Sequence, residues 1–405
     1  MPGQVFRNAP VVSLACWSLN AIAAEPAATV VRSPAQFQTV LSSSQPTPLD
    51  ALTPYGKRRF VESVRWGEKG LTGFNRIMLV RELQPEQIAA AMTFIGASEY
   101  APGVIGELVG PPLRLPAPTL DTEARLNQLM RFEDEDNRRR IDPSRTVTTV
   151  NDGQMARLFE TLFGERMSGT KLRTLPLGDL PLYFDAASIA VFRRPDAAAS
   201  RQLALVYEEM RMRGIDTRRT FDRTMLGYLL EARKFDEARA FATGKPHLAG
   251  TSIPSVRDPL GPGFAGRSAY RYEAATRTLV REALPQASGT ELVMVVDAGC
   301  GISARALAAL HEDAALRARL QQAGLTLIVP PRAPIDVDYM EEWNRANPGI
   351  PMRVPYRVEE WQAVDVHDVP HFFLLKDGKA VGHVIGWPPE GNQAALIALL
   401  DRAAR

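Results

Sequence analysis

The chain has 405 residues, 45% of them hydrophobic and 23% charged, with a formal net charge of +2. That length allows more than one domain, and the apolar fraction suffices for a sizeable core. The near-neutral charge, with no dense basic block interleaved with aromatics, excludes the electrostatic signature of a nucleic-acid binder.

Residues 9–24 form an apolar stretch that follows Arg7 and ends in Ala21-Ile22-Ala23-Ala24. An apolar run closed by small residues predicts a secretory signal peptide over residues 1–24, cleaved after Ala23 or Ala24, and hence an exported, periplasmic protein. A retained membrane anchor is the alternative, although Asn20 interrupts the run. The two cysteines are Cys16 and Cys300. Removal of the signal leaves Cys300 as a single thiol with no internal disulfide partner. No later run of about 18 apolar residues occurs, so the mature chain is expected to be soluble. Residues 25–56, rich in Ala, Ser, Thr and Pro, read as a flexible lead.

Residues 57–245 read as helical, in one or two domains. Helical periodicity covers 85–97, 122–139, 152–163, 186–192, 197–213, 220–233 and 236–242. The acidic run Glu133-Asp134-Glu135-Asp136 and the basic run Arg138-Arg139-Arg140 read as a solvated helix end. The pattern from Tyr207-Glu208-Glu209-Met210 through Gly214-Ile215 and Thr220-Phe221 to Glu237-Ala238 resembles tetratricopeptide or pentatricopeptide hairpins over one to two units. That resemblance implies a docking surface for another protein; the plain alternative is a helical domain built of αα-hairpins. Residues 246–269, with Pro254, Pro259 and Gly261-Pro262-Gly263, read as a linker, and 270–284 as a helix.

From Glu291 onward the pattern changes. It predicts a strand (292–296), a turn, a helix (303–322), a strand (325–329), a helix (336–347), a short extended segment (352–354), a strand (371–376), a second strand (380–386) and a closing helix (392–403). Lys376-Asp377-Gly378-Lys379 is a hairpin signal. The expected fold class is therefore multidomain: a helical N-terminal half followed by an α/β domain over 270–405. Cys300 falls where the first helix of that domain begins. Unpaired backbone N–H groups and the helix dipole there favour thiolate, the form that attacks disulfides.

Three residue sets of the C-terminal region resemble the thioredoxin superfamily. Cys300-Gly301-Ile302-Ser303 follows the first strand, where that family carries Cys-x-x-Cys or Cys-x-x-Ser. Val369-Pro370 precedes the hairpin, where the family has a cis-proline loop. Phe372 to Lys379 matches the hairpin itself, with Gly386 near the usual glycine. The resemblance implies a thioredoxin-like fold in which Pro370 faces Cys300. The chain departs from the pattern at Ser303, which stands where a resolving cysteine lies in dithiol members.

Candidate site residues are thus Cys300, Ser303 and Pro370. Ser303 is placed to hydrogen-bond a thiolate from the first helical turn. One function class is monothiol disulfide exchange or client capture. The other is a non-catalytic envelope scaffold with a degenerate thioredoxin fold. Partners in either case are protein clients or an envelope complex, and no cofactor is indicated. His367, His371 and His383 cluster near the hairpin and would form a metal site with Cys300 only if they converged; surface or satisfied histidines are the plainer expectation. No phosphate-binding loop, nucleophile elbow or His-Glu-x-x-His motif occurs.

Overall fold

The computed structural model describes residues 30–68, 70–140, 153–193, 197–284, 289–297, 299–330, 335–364 and 368–403. The segment read as a signal peptide, with Cys16, lies outside the described residues, as does His367.

The stretch read as a flexible lead is structured from residue 30 onward. It holds α1 (Pro34–Ser42) and a 3-10 turn (Pro48–Ala51), and it runs into α2 (Pro54–Ser63). Val31, Phe37, Leu49 and Leu52 are buried. The prolines misled the expectation. Three of them follow a hydroxyl residue: Ser33-Pro34, Thr47-Pro48 and Thr53-Pro54. Ser33 Oγ accepts from the Gln36 N–H at 3.2 Å, and Thr53 Oγ1 from the Gly56 N–H at 3.0 Å. A hydroxyl cap followed by proline at the first helical position is a helix start, not a linker.

A small hairpin follows, β1 (Arg65–Gly67) with β2 (Gly70–Gly73), and then α3 (Ile77–Glu82), α4 (Pro85–Phe94), α5 (Ala101–Gly106), α6 (Leu120–Arg140), α7 (Gly153–Leu162) and α8 (Gly169–Leu172). Next come α9 (Leu180–Arg193), α10 (Ala197–Met212), α11 (Phe221–Glu231) and α12 (Phe235–Ala242). α9 is buried along most of its length, from Leu180 to Val191, and forms the axis of this region. A helix that is apolar nearly all round belongs inside a bundle. Arg81 of α3 reaches Asp185 of α9 with two bonds of 2.7 Å.

The C-terminal region is a mixed sheet. Its strands are β3 (Ser255–Arg257), β4 (Ser268–Glu273), β5 (Thr278–Ala283), β6 (Thr290–Val295), β7 (Thr326–Ile328), β8 (Met352–Pro355), β9 (His371–Lys376) and β10 (Lys379–Ile385), in spatial order β10-β9-β6-β7-β8-β4-β5-β3. β6, β7 and β8 run parallel, whereas β9 and β10 form the expected antiparallel hairpin beside β6. Asp377 and Gly378 both have positive φ, as a two-residue hairpin turn of matching twist requires. α13 (Gly301–Glu312), α14 (Ala314–Gln322) and α15 (Val337–Ala346) make the crossovers, and α16 (Gln393–Ala403) packs on the hairpin.

Three expectations are corrected here. Residues 270–284 are not a helix but the hairpin β4–β5, in which Tyr270 pairs with Arg281 and Tyr272 with Leu279. Aromatic and β-branched residues flank the turn, and Arg277 closes it at φ 50°. Residues 246–269 are not a free linker, because Leu248 is buried, His247 lies 2.8 Å from Asp222, and β3 pairs in parallel with β5. The helix expected over 303–322 is two helices, broken at Asp313. The Asp313 carboxylate accepts from the Leu316 N–H at 2.9 Å and so caps α14. Asp313→Ala is expected to lower stability by about 1 kcal/mol in urea unfolding. A loss below roughly 0.3 kcal/mol would show that the cap is dispensable.

The two regions touch directly. Arg233, at the end of α11, donates to the carbonyls of Tyr356 (2.9 Å) and Pro355. Burial pushes its guanidinium down to about 10. Phe235 meets Tyr270 edge-on with ring centroids 6.0 Å apart. One buried apolar cluster runs from Val31 and Phe37 through α9 to Leu399 of α16.

Candidate functional site

The strand β6 is buried on both faces, through Leu292, Val293, Met294 and Val295. It delivers the chain to Asp297 at the upper rim of the sheet. There the Asp297 carbonyl accepts from the Cys300 N–H at 3.1 Å, and the Asp297 carboxylate from the Gly299 N–H at 2.9 Å. This turn sets Cys300 at the N-cap of α13, with φ −98° and ψ 114°. The Cys300 carbonyl already accepts from the Ala304 N–H at 2.9 Å, the first bond of the helix. The Cys300 side chain makes no capping bond to the first-turn N–H groups.

Cys300 is half-buried and is a free thiol. Its Sγ donates toward the Val369 carbonyl at 3.8 Å, across 69 residues of chain. The Val369-Pro370 peptide is cis. Pro370 is buried, and its carbonyl accepts from the Gly386 N–H at 2.9 Å, which ties the loop to the end of β10. Cys300 and the Val369-Pro370 loop, taken from separate parts of the sequence, are thus brought face to face.

Ser303 occupies the third helical position, one turn from Cys300, and is fully buried. Its Oγ accepts from the Asp297 N–H at 3.3 Å. That bond braces the turn that presents Cys300, a role different from the thiolate contact read from the sequence. Two neighbours had no signal in the sequence. Ile302, beside the thiol, is 42% exposed, an unusual setting for isoleucine. Arg305 donates from Nη2 to the Trp387 carbonyl at 3.1 Å and so joins α13 to the segment after β10.

His371 and His383 do meet, with His371 Nε2 2.8 Å from His383 Nδ1. Among the described residues no group of three or more His, Cys, Asp or Glu side chains is arranged to hold a metal ion.

No family model matches the chain, and no curated protein matches it. Solved structures offer two likenesses. One is the C-terminal domain of an uncharacterized protein from Bacteroides fragilis NCTC 9343, with 17% identity and a TM-score of 0.22, over 35% of this chain and 94% of that one. The other is a thioredoxin-like protein from Bacteroides caccae ATCC 43185, with 13% identity and a TM-score of 0.24, over 72% of this chain and 99% of that one.

Proposed function

We propose that Cys300 is the reactive thiol of an exported, thioredoxin-like protein that captures protein clients or exchanges their disulfides. The observation that carries this reading is the placement of Cys300, at a helix N-cap with Sγ 3.8 Å from the Val369 carbonyl, 69 residues away in sequence. The Cys300 thiolate attacks one sulfur of a client disulfide. A Cys300–client bond forms, and the other client sulfur leaves as thiolate. A second thiol, from the client or from a small-molecule reductant such as glutathione, then attacks the mixed disulfide and restores the Cys300 thiolate. Export rests on the N-terminal apolar segment. Among the described residues no helix is long and apolar enough to cross a membrane.

The test is alkylation of Cys300, and trapping of a disulfide-bearing peptide as a mixed disulfide, in the folded protein lacking residues 1–24, with Cys300→Ser as the blank. Reaction of the folded protein, absent in the blank, is expected. Alkylation only after unfolding would sink the proposal.

A second reading is supported by a cleft of about 800 Å³ between α10, α11 and α12 and the segment after β8, lined by Tyr228, Arg233, Phe241, Tyr356 and Arg357. On that reading the chain is an envelope scaffold that binds proteins without thiol chemistry, and unreactive Cys300 is the outcome that favours it.

A further inference from the structure

His371 on β9 and His383 on β10 share one face of the sheet. The register pairs His371 with Ile385 and His383 with Phe373, so the two imidazoles are diagonal neighbours. Their facing nitrogens are 2.8 Å apart and their ring centroids 5.1 Å apart. The second distance is nearly the first plus two ring radii. The facing nitrogens therefore point almost straight at each other, which is the geometry of one shared proton. A metal ion would need both lone pairs to converge from an angle on a point about 2 Å from each, and collinear axes do not.

The surroundings are mostly apolar. His371 is 2% exposed and lies against Phe373, with ring centroids 3.8 Å apart. On β6 its register partner is Val295, next to Val293 on the same face; the acidic residues along that side are Glu291, which Arg267 holds at 2.7 Å, and Asp297, which is bonded to Gly299. The turn Val358–Trp361 covers this face. Its Glu360 is engaged by Ser268 (2.7 Å) and Arg281 (3.4 Å). Asp368 precedes β9. α16 packs on the opposite face, with Leu399 against Gly382.

We propose that the His371–His383 pair is a one-proton latch on the strand end that carries the Val369-Pro370 loop, and that a second proton opens it. A neutral pair holds an N–H···N bond. One added proton, on an outer nitrogen, leaves that bond intact. A second would set N–H against N–H across a gap that takes only one hydrogen. The folded pair thus binds one proton, whereas the separated histidines of the unfolded chain bind two below their ordinary value of about 6.5. The unfolded state then holds more protons, so the stability supplied by the latch is present above that pH and lost as pH falls.

The test compares urea unfolding of the wild-type protein and His383→Gln between pH 7.5 and 4.5, since glutamine keeps a hydrogen-bond partner for His371 but does not titrate. Below about pH 6 the wild-type unfolding constant should rise faster than that of the variant, by up to tenfold per pH unit. Parallel curves overturn the latch. If His383→Gln does not fold, magnetic-resonance titration of histidine-labelled wild-type protein decides. Uptake of one proton by the coupled pair is expected, and two independent single-site curves for His371 and His383 overturn the proposal. Cys300 alkylation in the same samples separates the two ideas: a thiol that never reacts sinks the thiol reading but leaves the latch standing.

Discussion

Replacing Arg281 by alanine is expected to cost about 3–5 kcal/mol of folding free energy. Arg281 sits on β5 with its side chain 2% exposed. Its Nε donates to Ser268 Oγ at 2.9 Å, Nη1 to Asp258 and to the Gly261 carbonyl, both at 3.0 Å, and Nη2 to Glu360 at 3.4 Å. The guanidinium also lies over the Tyr356 ring, 3.4 Å from its centroid. Alanine would leave Glu360 without its cation in a site where that carboxylate's other oxygen is already held by Ser268. Removing one partner of a buried pair is costly because the other charge stays buried. Asp258 keeps two backbone N–H donors, Leu260 and Gly261, and is partly solvated, so the loss should fall toward the lower end of that range. Lysine keeps the charge but not the planar fork, and Arg281→Lys should recover only part of the loss. Urea unfolding followed by circular dichroism measures both variants. A cost under about 1 kcal/mol for alanine would mean that the cluster is not a stabilising centre.

The same cluster shows why part of the fold was hidden in the sequence. Residues 246–284 carry Pro, Gly and scattered charge, which locally read as a linker followed by a helix. Their structure comes from partners far along the chain: Glu360 for Arg281, Val354 for Tyr270, and Glu291 for Arg267. No window of about 11–18 residues contains that information. The longer helices between residues 85 and 242 and the succession of strands along the chain after Glu291 are legible because periodicity is a local property. α10, α12 and β9 fall within two residues of where the pattern put them. The lead before α2 is hidden for another reason. Its hydroxyl-proline pairs start helices, but the same residues in composition match a loop.

The candidate site divides in the same way. Cys300, Ser303 and Pro370 were each legible from their neighbours in sequence. That Ser303 Oγ would serve the Asp297 N–H was not, because the choice of partner depends on how tightly the turn after β6 closes. Nor was Arg305, whose only mark is its bond to the Trp387 carbonyl in a segment distant in sequence.

On the proposed thiol reading, Ser303→Cys should convert a trapping site into a self-resolving one. Cys300 is the N-cap of α13 and Ser303 its third helical residue. Those two positions lie one helical turn apart, with Ser303 Oγ engaged by the Asp297 N–H and Cys300 Sγ directed at the Val369 carbonyl. The expected result is that a thiol at position 303 turns to meet the mixed disulfide at Cys300. Among the described residues that bond has no internal attacker, since Cys300 is the one free cysteine there. It should persist until an external thiol arrives. In the variant, the thiolate introduced at position 303 attacks Cys300 Sγ, an internal disulfide forms, and the client leaves as a thiolate. Intramolecular attack replaces a bimolecular step, so release should be faster by orders of magnitude when no external thiol is present. The exchanged proton and charge balance, because one thiolate is consumed and one released. The cost is the Ser303–Asp297 bond, worth about 1 kcal/mol, so the variant should still fold. The measurement loads both proteins with a peptide through an activated disulfide, quenches with acid and follows the adduct by mass. Adducts of equal lifetime would mean that the two side chains do not meet, and that the turn at Asp297 holds position 303 away from the thiol.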